Sequence, residues 1–249
     1  MRVLFDSRSL QVKVHLADGV RLETLIAAIE GEGSTVEASG DRLTSDVLHG
    51  FDVVVVPTRD ATDGNEYTDR ELESLDGFVT GGGGLLLMSN HGPLPEAPYD
   101  HTKHDRELAG AFGITIEPAW FAAPAASELT TLAEGALAAG HPVIAGSSPD
   151  TAVRSVVTNN FCGIAAEGCS ALVGLPDSIV DWRSTYDPRT HVFAGALDRE
   201  RGRSGRVIVV ADSGFLGSEG TELPGPGLIG RGDNLRFVLN ALLWLRDEP

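Results

Sequence analysis

Short continuous apolar runs alternate along the N-terminal third of the chain with apolar positions at helical spacing. The runs RVLFD at 2–6 and FDVVVVP at 51–57 predict strands, and the four consecutive valines of the second indicate a strand buried on both faces. Between them, Leu22, Leu25, Ile26 and Ile29 predict a helix over residues 20–30. This alternation is typical of a parallel sheet covered by helices.

The next unit carries a clear start and stop signal. Thr68 and Glu71 form a capping box, and apolar residues line one face of the helix that follows. Four glycines at 81–84 end that helix, and LLLM at 85–88 predicts the next buried strand. Strand, capped helix, glycine stop and strand together predict a βαβ unit.

The remaining pattern is less even, and residues 118–190 are the least regular part of the chain. No repeat and no long linker divides the sequence, which predicts one domain over residues 1–249. The further predicted elements are a helix at 103–112, strands at 114–117, 153–158, 170–175, 191–197 and 205–212, and a final amphipathic helix at 234–245.

Composition removes several classes of function. The net charge of −17 argues against nucleic-acid binding, since phosphate contacts require clustered Lys and Arg. No apolar run approaches a membrane span of ~20 residues, and MRVLFDSRSL lacks the apolar core of a signal peptide. The two cysteines are too few for a disulfide scaffold or a structural zinc site. We therefore expect a cytoplasmic protein without a nucleic-acid or membrane partner.

The order of these elements resembles the class I glutamine amidotransferase-like superfamily. The resemblance lies in FDVVVVP, the helix ending in GGGG, the LLLM strand and the turn Ser89-Asn90-His91-Gly92. Near the end, GRVIVVADSGFLG and N-x-x-F-V-L-N-A-L-x-W-L resemble its uncharacterised and trehalose-utilisation-like branches. The resemblance implies a flavodoxin-like α/β fold: three layers, with a mainly parallel sheet and helices on both faces.

The sequence departs from the superfamily at its catalytic positions. Glutaminase members carry a nucleophilic cysteine in the turn after the LLLM-like strand, where this chain has S-N-H-G. The later strand, where those enzymes place histidine and glutamate, ends here in Asp212-Ser213. A cysteine-dependent glutaminase is therefore not expected.

Polar residues follow the predicted strands at the edge where open parallel sheets bind ligands. We expect His91 to act as a general base or metal ligand and Asp212 to orient it or share the metal. The predicted substrate-binding residues are Asp6, Ser89, Asn90 and Ser213. The alternative is structural, because aspartates at strand ends often cap helices or bind loop amides.

A second cluster lies at residues 99–105. Asp100, His101 and His104, together with His91, are candidate ligands for a divalent metal such as zinc or manganese. Their spacing matches no established zinc signature, and Lys103 would repel a cation. The alternative is a solvated loop whose acids favour the positive end of the next helix.

Two functions from different classes follow. The first is a hydrolase acting on a small polar metabolite, metal-assisted or using His/Asp acid–base chemistry. The second is a non-catalytic ligand- or protein-binding module that kept the fold and lost the triad. A hydrolase using Cys162 would require a basic group within ~3 Å of its sulfur. The Gly-rich loop at 213–232 is interpreted as a substrate cover, an interface or a plain surface loop, and a homodimer is compatible with the sequence.

Overall fold

The computed structural model describes residues 1–8, 22–59, 61–94, 98–125, 129–199, 202–218 and 227–246. Its strands, in chain order, are β1 (Arg2–Asp6), β2 (Thr35–Ser39), β3 (Val53–Val56), β4 (Gly84–Met88), β5 (Ile116–Ala122), β6 (Thr130–Leu132), β7 (Val156–Thr158), β8 (Phe161–Ala165), β9 (Ser170–Gly174), β10 (Val180–Asp181), β11 (His191–Leu197) and β12 (Val207–Val210). The helices are α1 (Glu23–Gly31), α2 (Ser45–Leu48), α3 (Asp69–Thr80), α4 (Asp105–Ala111), α5 (Pro142–Ala145) and α6 (Asn234–Arg246).

Ten of the described strands form one mixed sheet in the order β10-β5-β8-β11-β12-β4-β3-β1-β2, with β9 paired to β11. The five strands from β2 to β12 pair in parallel, which confirms the predicted parallel pairing for that half. The strands on the other side of β12 pair antiparallel. Strand β12, the last of the described strands, therefore joins the two halves of the sheet.

The core explains why the parallel half forms. Every residue of β3, β4 and β12 is buried, which is what continuous Val and Leu runs require. The capping box at the start of α3 is present: Glu71 N–H donates to Thr68 Oγ1 at 3.2 Å, and Thr68 N–H donates to Glu71 Oε2 at 3.1 Å. The helix predicted at 20–30 is observed from Glu23, its first two residues lying outside the described part.

The antiparallel half is where the sequence pattern predicted least. Between α4 and β12, the pattern predicted strands near β5, β7, β9 and β11 but did not reveal β6, β8 or β10. Strand β8 lies between β5 and β11, and its first four residues are buried. Its short run, FCGIA, contains a glycine and lacks the alternation that marks a strand.

None of the helices that the structure describes has the length and apolarity that a membrane-spanning segment requires. Helix α6 contacts β3, β4 and β12 of the parallel half and also β7, which pairs with β6 in a separate two-stranded sheet. Helices α3 and α4 both contact β4. These contacts fix the strand ends on which the candidate site is built.

Candidate functional site

The polar residues predicted at the sheet edge do lie together there, but they are buried. Asp6 ends β1, Ser89 and Asn90 follow β4, and Asp212 and Ser213 follow β12. Because β1, β4 and β12 belong to the parallel half, their carboxyl ends meet at one edge. None of these five residues is more than 4% exposed. The edge is therefore closed by packed polar side chains.

Arg59, which follows β3, occupies the centre of the edge between β1 and α3. Its side chain is fully buried and donates to Asp6 Oδ2 at 2.6 Å and to Glu71 Oε1 at 3.3 Å. Its guanidinium carbon lies 3.6 Å from the centroid of the Tyr67 ring. A buried charge is tolerated when it is paired and hydrogen-bonded, which holds for both Nη atoms of Arg59, although its Nε has no hydrogen-bond partner among the described atoms.

Glu71 also forms ion pairs with two further arginines, Arg8 and Arg42. Arg8 Nη1 lies 2.9 Å from Glu71 Oε1, and Arg42 Nη1 lies 2.6 Å from Oε2. Burial alone would raise the pKa of Glu71, but hydrogen bonds from Thr68 and Arg42 and the charge of Arg59 outweigh it and lower the pKa to about 2. We call Asp6, Arg8, Arg42, Arg59 and Glu71 the buried charge network.

Ser89 begins the turn after β4, the turn in which the resemblance implies a cysteine in glutaminases. Its hydroxyl donates to Asp105 Oδ2 at 2.9 Å, and Asp105 Oδ1 accepts from the Arg59 N–H at 3.1 Å. Burial raises the pKa of Asp105 to about 8, so this carboxyl is protonated at neutral pH. A neutral acid in this position accepts hydrogen bonds but does not activate a hydroxyl as a base.

Cys162, on β8, lies beside this group rather than at the turn. The thiol is fully buried and donates to the Ala211 carbonyl at 3.4 Å. Burial raises the pKa of the Cys162 thiol well above its usual range, and a hydrogen bond with Ser89 only partly opposes this. A thiol held in its neutral form is a poor nucleophile.

Asp212 has its two carboxylate oxygens engaged by neighbours. Thr158 Oγ1 donates to Oδ2 at 2.6 Å, and the Gly214 N–H donates to Oδ1 at 2.6 Å. Burial raises the pKa of Asp212 to about 6 against the effect of these bonds. Asn90 Nδ2 lies 3.5 Å from Oδ1, and Asn90 Oδ1 accepts from the His91 N–H. Asp212 is thus linked to the backbone of His91, not to its ring.

The ring of His91 turns away from Asp212 towards a row of aromatic side chains. Its Nδ1 hydrogen-bonds the Gly92 carbonyl at 2.9 Å, and its centroid lies 3.7 Å from that of Trp120 and 4.8 Å from that of His101. Burial lowers the pKa of His91 to about 4, so the ring is neutral at pH 7. A neutral imidazole packed on an indole serves first as part of an apolar surface.

This row continues on both sides to exposed rings. The Tyr99 and His101 centroids are 6.4 Å apart, and Tyr99 is 74% exposed. The backbone N–H of Trp182 donates to the Trp120 carbonyl at 3.0 Å beside the β5–β10 pairing, so Trp182 lies opposite Trp120, and its indole N–H donates to the Ala123 carbonyl at 3.2 Å. Trp182 is 42% exposed. We call Tyr99, His101, His91, Trp120 and Trp182 the aromatic row.

The four residues predicted to bind a metal are not assembled as ligands of one ion. Asp100 accepts from the Thr102 hydroxyl at 2.6 Å and pairs with Arg106 at 2.7 Å. His104 is fully buried at the start of α4, while His91 and His101 contact each other through their rings. Within the described ranges, no three His, Cys, Asp or Glu side chains are grouped to hold a metal ion.

Sequence reasoning assigned no site role to Arg59, Glu71 or Thr158, whose side chains hold the predicted edge residues in place. Arg59 could have been selected by its position after β3, as a large cation next to a fully apolar strand. Glu71 was identified as the capping residue of α3, and the ion pairs it makes at longer range leave no trace in local sequence. Thr158 and Asp105 meet Asp212 and Ser89 only through the tertiary fold.

Comparisons with known proteins identify the fold. The chain matches no protein-family profile and no curated protein sequence. Among solved structures it is similar to the mmIFT52 N-terminal domain, with 13% identity, TM-score 0.72 and coverage of 99% of this chain and 98% of the other. A cytoplasmic protein from Salmonella typhimurium LT2 has 14% identity, TM-score 0.61 and coverage of 98% and 99%.

A ThuA-like protein from Parabacteroides merdae ATCC 43184 has 11% identity, TM-score 0.56 and coverage of 99% of this chain and 90% of the other. At such identities the likeness concerns the fold alone. Together with the mixed α/β sheet, these neighbours support a ThuA-like α/β fold for this chain.

Proposed function

We propose that this protein is a non-catalytic module that binds a ligand or a partner protein at the carboxyl edge of its sheet. One observation carries the proposal: Ser89, in the turn where the family resemblance implies a nucleophile in glutaminases, is fully buried and its hydroxyl donates to Asp105. A substrate would have to displace this packed group to reach the turn. The buried charge network closes the same edge between β1 and α3.

The surface proposed for binding is the aromatic row. Aromatic side chains bury large areas and are enriched at interfaces, where they often supply most of the binding energy. Tyr99 and Trp182 are among the few large apolar side chains that remain exposed in the described part of the chain. The row therefore offers contact area beside an edge whose chemistry is closed.

A hydrolase is the second candidate, because perturbed pKa values cluster at functional sites. The pKa values of Asp105 and Asp212 are raised to about 8 and about 6, and that of His91 is lowered to about 4. Burial is the first cause of all three shifts, and a closed polar edge produces them without a reaction. We therefore rank this candidate second.

An activity assay separates the binding module from the hydrolase. It measures hydrolysis of glutamine, aryl esters and aryl amides by the wild type, Ser89→Ala and Asp212→Asn. The binding module predicts rates equal to the buffer blank for all three proteins. A wild-type rate above blank that falls in Asp212→Asn, with a pH limb near 6, would establish the hydrolase instead. A thermal-shift screen with polar metabolites tests binding, since a ligand that stabilises the wild type should lose its effect in Trp182→Ala.

Four finer assignments belong with this proposal. We infer helices on both faces of the sheet, supported by the contacts of α1 with α6 and of α3 with α4. A relation to the trehalose-utilisation-like branch is supported by the ThuA-like neighbours. A cytoplasmic location and a homodimer remain predictions, which fractionation and sedimentation would check.

A further inference from the structure

Four of the five buried side-chain nitrogen and oxygen atoms that lack a hydrogen-bond partner in the described part of the chain belong to three residues. They are Arg59 Nε, the Tyr67 hydroxyl oxygen and both ring nitrogens of His104. Arg59 and His104 are fully buried, and Tyr67 is 6% exposed. Buried polar groups without a partner are rare in proteins, and each one requires an explanation such as a bound water or ion. Four such atoms in three residues indicate a common partner.

The three side chains belong to segments that meet at the carboxyl end of β3: Arg59 follows β3, Tyr67 precedes α3, and His104 precedes α4. The guanidinium carbon of Arg59 lies 3.6 Å from the centroid of the Tyr67 ring. Asp105, the residue after His104, accepts a hydrogen bond from the Arg59 N–H at 3.1 Å. Backbone hydrogen bonds lower the pKa of Glu66, the residue before Tyr67, and His104 contributes to the same shift. These contacts place His104 beside the Arg59–Tyr67 pair.

The unpartnered atoms are chiefly hydrogen-bond donors. Arg59 Nε can only donate, the Tyr67 hydroxyl donates one proton, and a neutral His104 ring donates from one of its two nitrogens. A ligand that accepts several hydrogen bonds satisfies all of these donors together, and an anion does so most strongly. Arg59 and Tyr67 are packed in contact and the three side chains are buried, so the ligand has to be small.

The charges of the described residues around this cluster are compatible with a monovalent anion. The buried charge network contains three arginines and two carboxylates, so it carries one formal positive charge. Asp105 is protonated at neutral pH, because burial raises its pKa to about 8. At the nearby surface, Lys103 lies 4.0 Å from Asp63, and Glu66 is only half-buried, so that water screens its charge. One bound anion would therefore neutralise the network.

We propose that Arg59 Nε, the Tyr67 hydroxyl and His104 bind a halide ion such as chloride, at a site that goes beyond the proposed function and does not rest on it. The ion accepts hydrogen bonds from the three side chains and completes the neutralisation of the buried charge network. Its binding stabilises the edge formed by the ends of β1 and β3 and the start of α3. Water is the competing occupant, because a buried water also hydrogen-bonds otherwise unpaired polar groups.

Thermal melts of the full chain test the site. Sodium chloride replaces sodium gluconate at constant ionic strength, so that general screening stays unchanged. The melting temperature should be flat at low chloride and rise with the logarithm of its concentration above the dissociation constant, as for a ligand that binds only the folded state. Tyr67→Phe keeps the ring over Arg59 and removes only the hydroxyl, so the onset of this rise should move to chloride concentrations about tenfold higher or more. Tyr186→Phe, which removes a hydroxyl that hydrogen-bonds Glu117 outside the cluster, should respond like the wild type.

Crystals of the wild type grown in sodium bromide keep the test decisive if Tyr67→Phe fails to fold, because bromide scatters X-rays anomalously. The expected result is an anomalous peak within hydrogen-bonding distance of Arg59 Nε and the Tyr67 hydroxyl. A water without anomalous signal at that point, equal melting temperatures in chloride and gluconate, or an unchanged onset in Tyr67→Phe would overturn the proposal. None of these outcomes depends on the hydrolysis assay or on a ligand of the aromatic row.

Discussion

Replacing Arg59 by methionine should strongly destabilise the protein, because it leaves buried carboxylates without their cation. The apolar stem of methionine can still lie over the Tyr67 ring, so the change removes mainly the charge. Glu71 keeps its contacts with Arg8 and Arg42. Asp6 is left with the Arg8 N–H, at 3.0 Å, as its remaining contact among those described. The cost therefore falls mainly on Asp6.

Two estimates of that cost agree. Removing one partner of a buried ion pair typically costs about 3–5 kcal/mol. Two unit charges ~4 Å apart attract by about 4 kcal/mol at an effective dielectric constant of ~20. We therefore expect Arg59→Met to lower the free energy of unfolding by about 3–5 kcal/mol, a large part of the total stability of a typical domain.

Urea unfolding at pH 7, followed by tryptophan fluorescence, measures this change. Asp6→Asn in the Arg59→Met background should recover part of the loss, because the uncompensated carboxylate is then absent. Arg189→Met is the matched control, since Arg189 pairs with Asp187 on the surface and should leave the midpoint unchanged. A loss below about 1 kcal/mol in Arg59→Met would refute the view that Arg59 neutralises this edge.

Three further predictions follow from other parts of the structure. Folding raises the pKa of Asp105 from 3.8 to about 8, so the wild type should lose stability as pH rises from about 4 to about 8. Asp105→Asn should remove that loss. If the free energy of unfolding changes equally in both proteins between pH 5 and pH 9, this reasoning is contradicted. Gly92→Ala should impair folding, since its Cβ would clash with the Pro118 carbonyl. Gly110→Ala in α4 meets no atom within 4 Å and should raise the free energy of unfolding by about 0.5–1 kcal/mol. Thermal melts of both variants beside the wild type test this pair of outcomes. In a Cys169→Ser variant, which removes the other free thiol, Cys162 should react with a thiol reagent only as fast as the protein unfolds, and rapid labelling of the native variant would show that the site is open.

The sequence predicted the parallel half well because its signals are local. Continuous valines and leucines specify strands such as β3 and β4, and Thr68 with Glu71 specifies the start of α3. It also placed Ser89 and Asp212 at the correct edge, since position after a strand is enough for that. Each of these predictions depends on residues within one turn or one strand.

The state of the site could not be predicted in the same way. Whether Ser89 is accessible depends on Asp105, sixteen residues later, and Asp212 depends on Thr158, which is fifty-four residues away. The orientation of His91 is set by Trp120 on β5. Burial and hydrogen bonding between distant segments decide whether an edge residue is reactive or structural, and a single sequence does not display them.

The position of β12 has a consequence for how the chain assembles. Residues 207–210 bridge β4 and β11, so the two halves of the sheet cannot join until most of the chain has left the ribosome. Until then, the leucine-rich β4 is an open edge, which is the kind of strand that pairs with other chains. Non-local pairing of this kind folds slowly. The risk of aggregation is therefore highest during synthesis, before β12 has emerged and paired with β4.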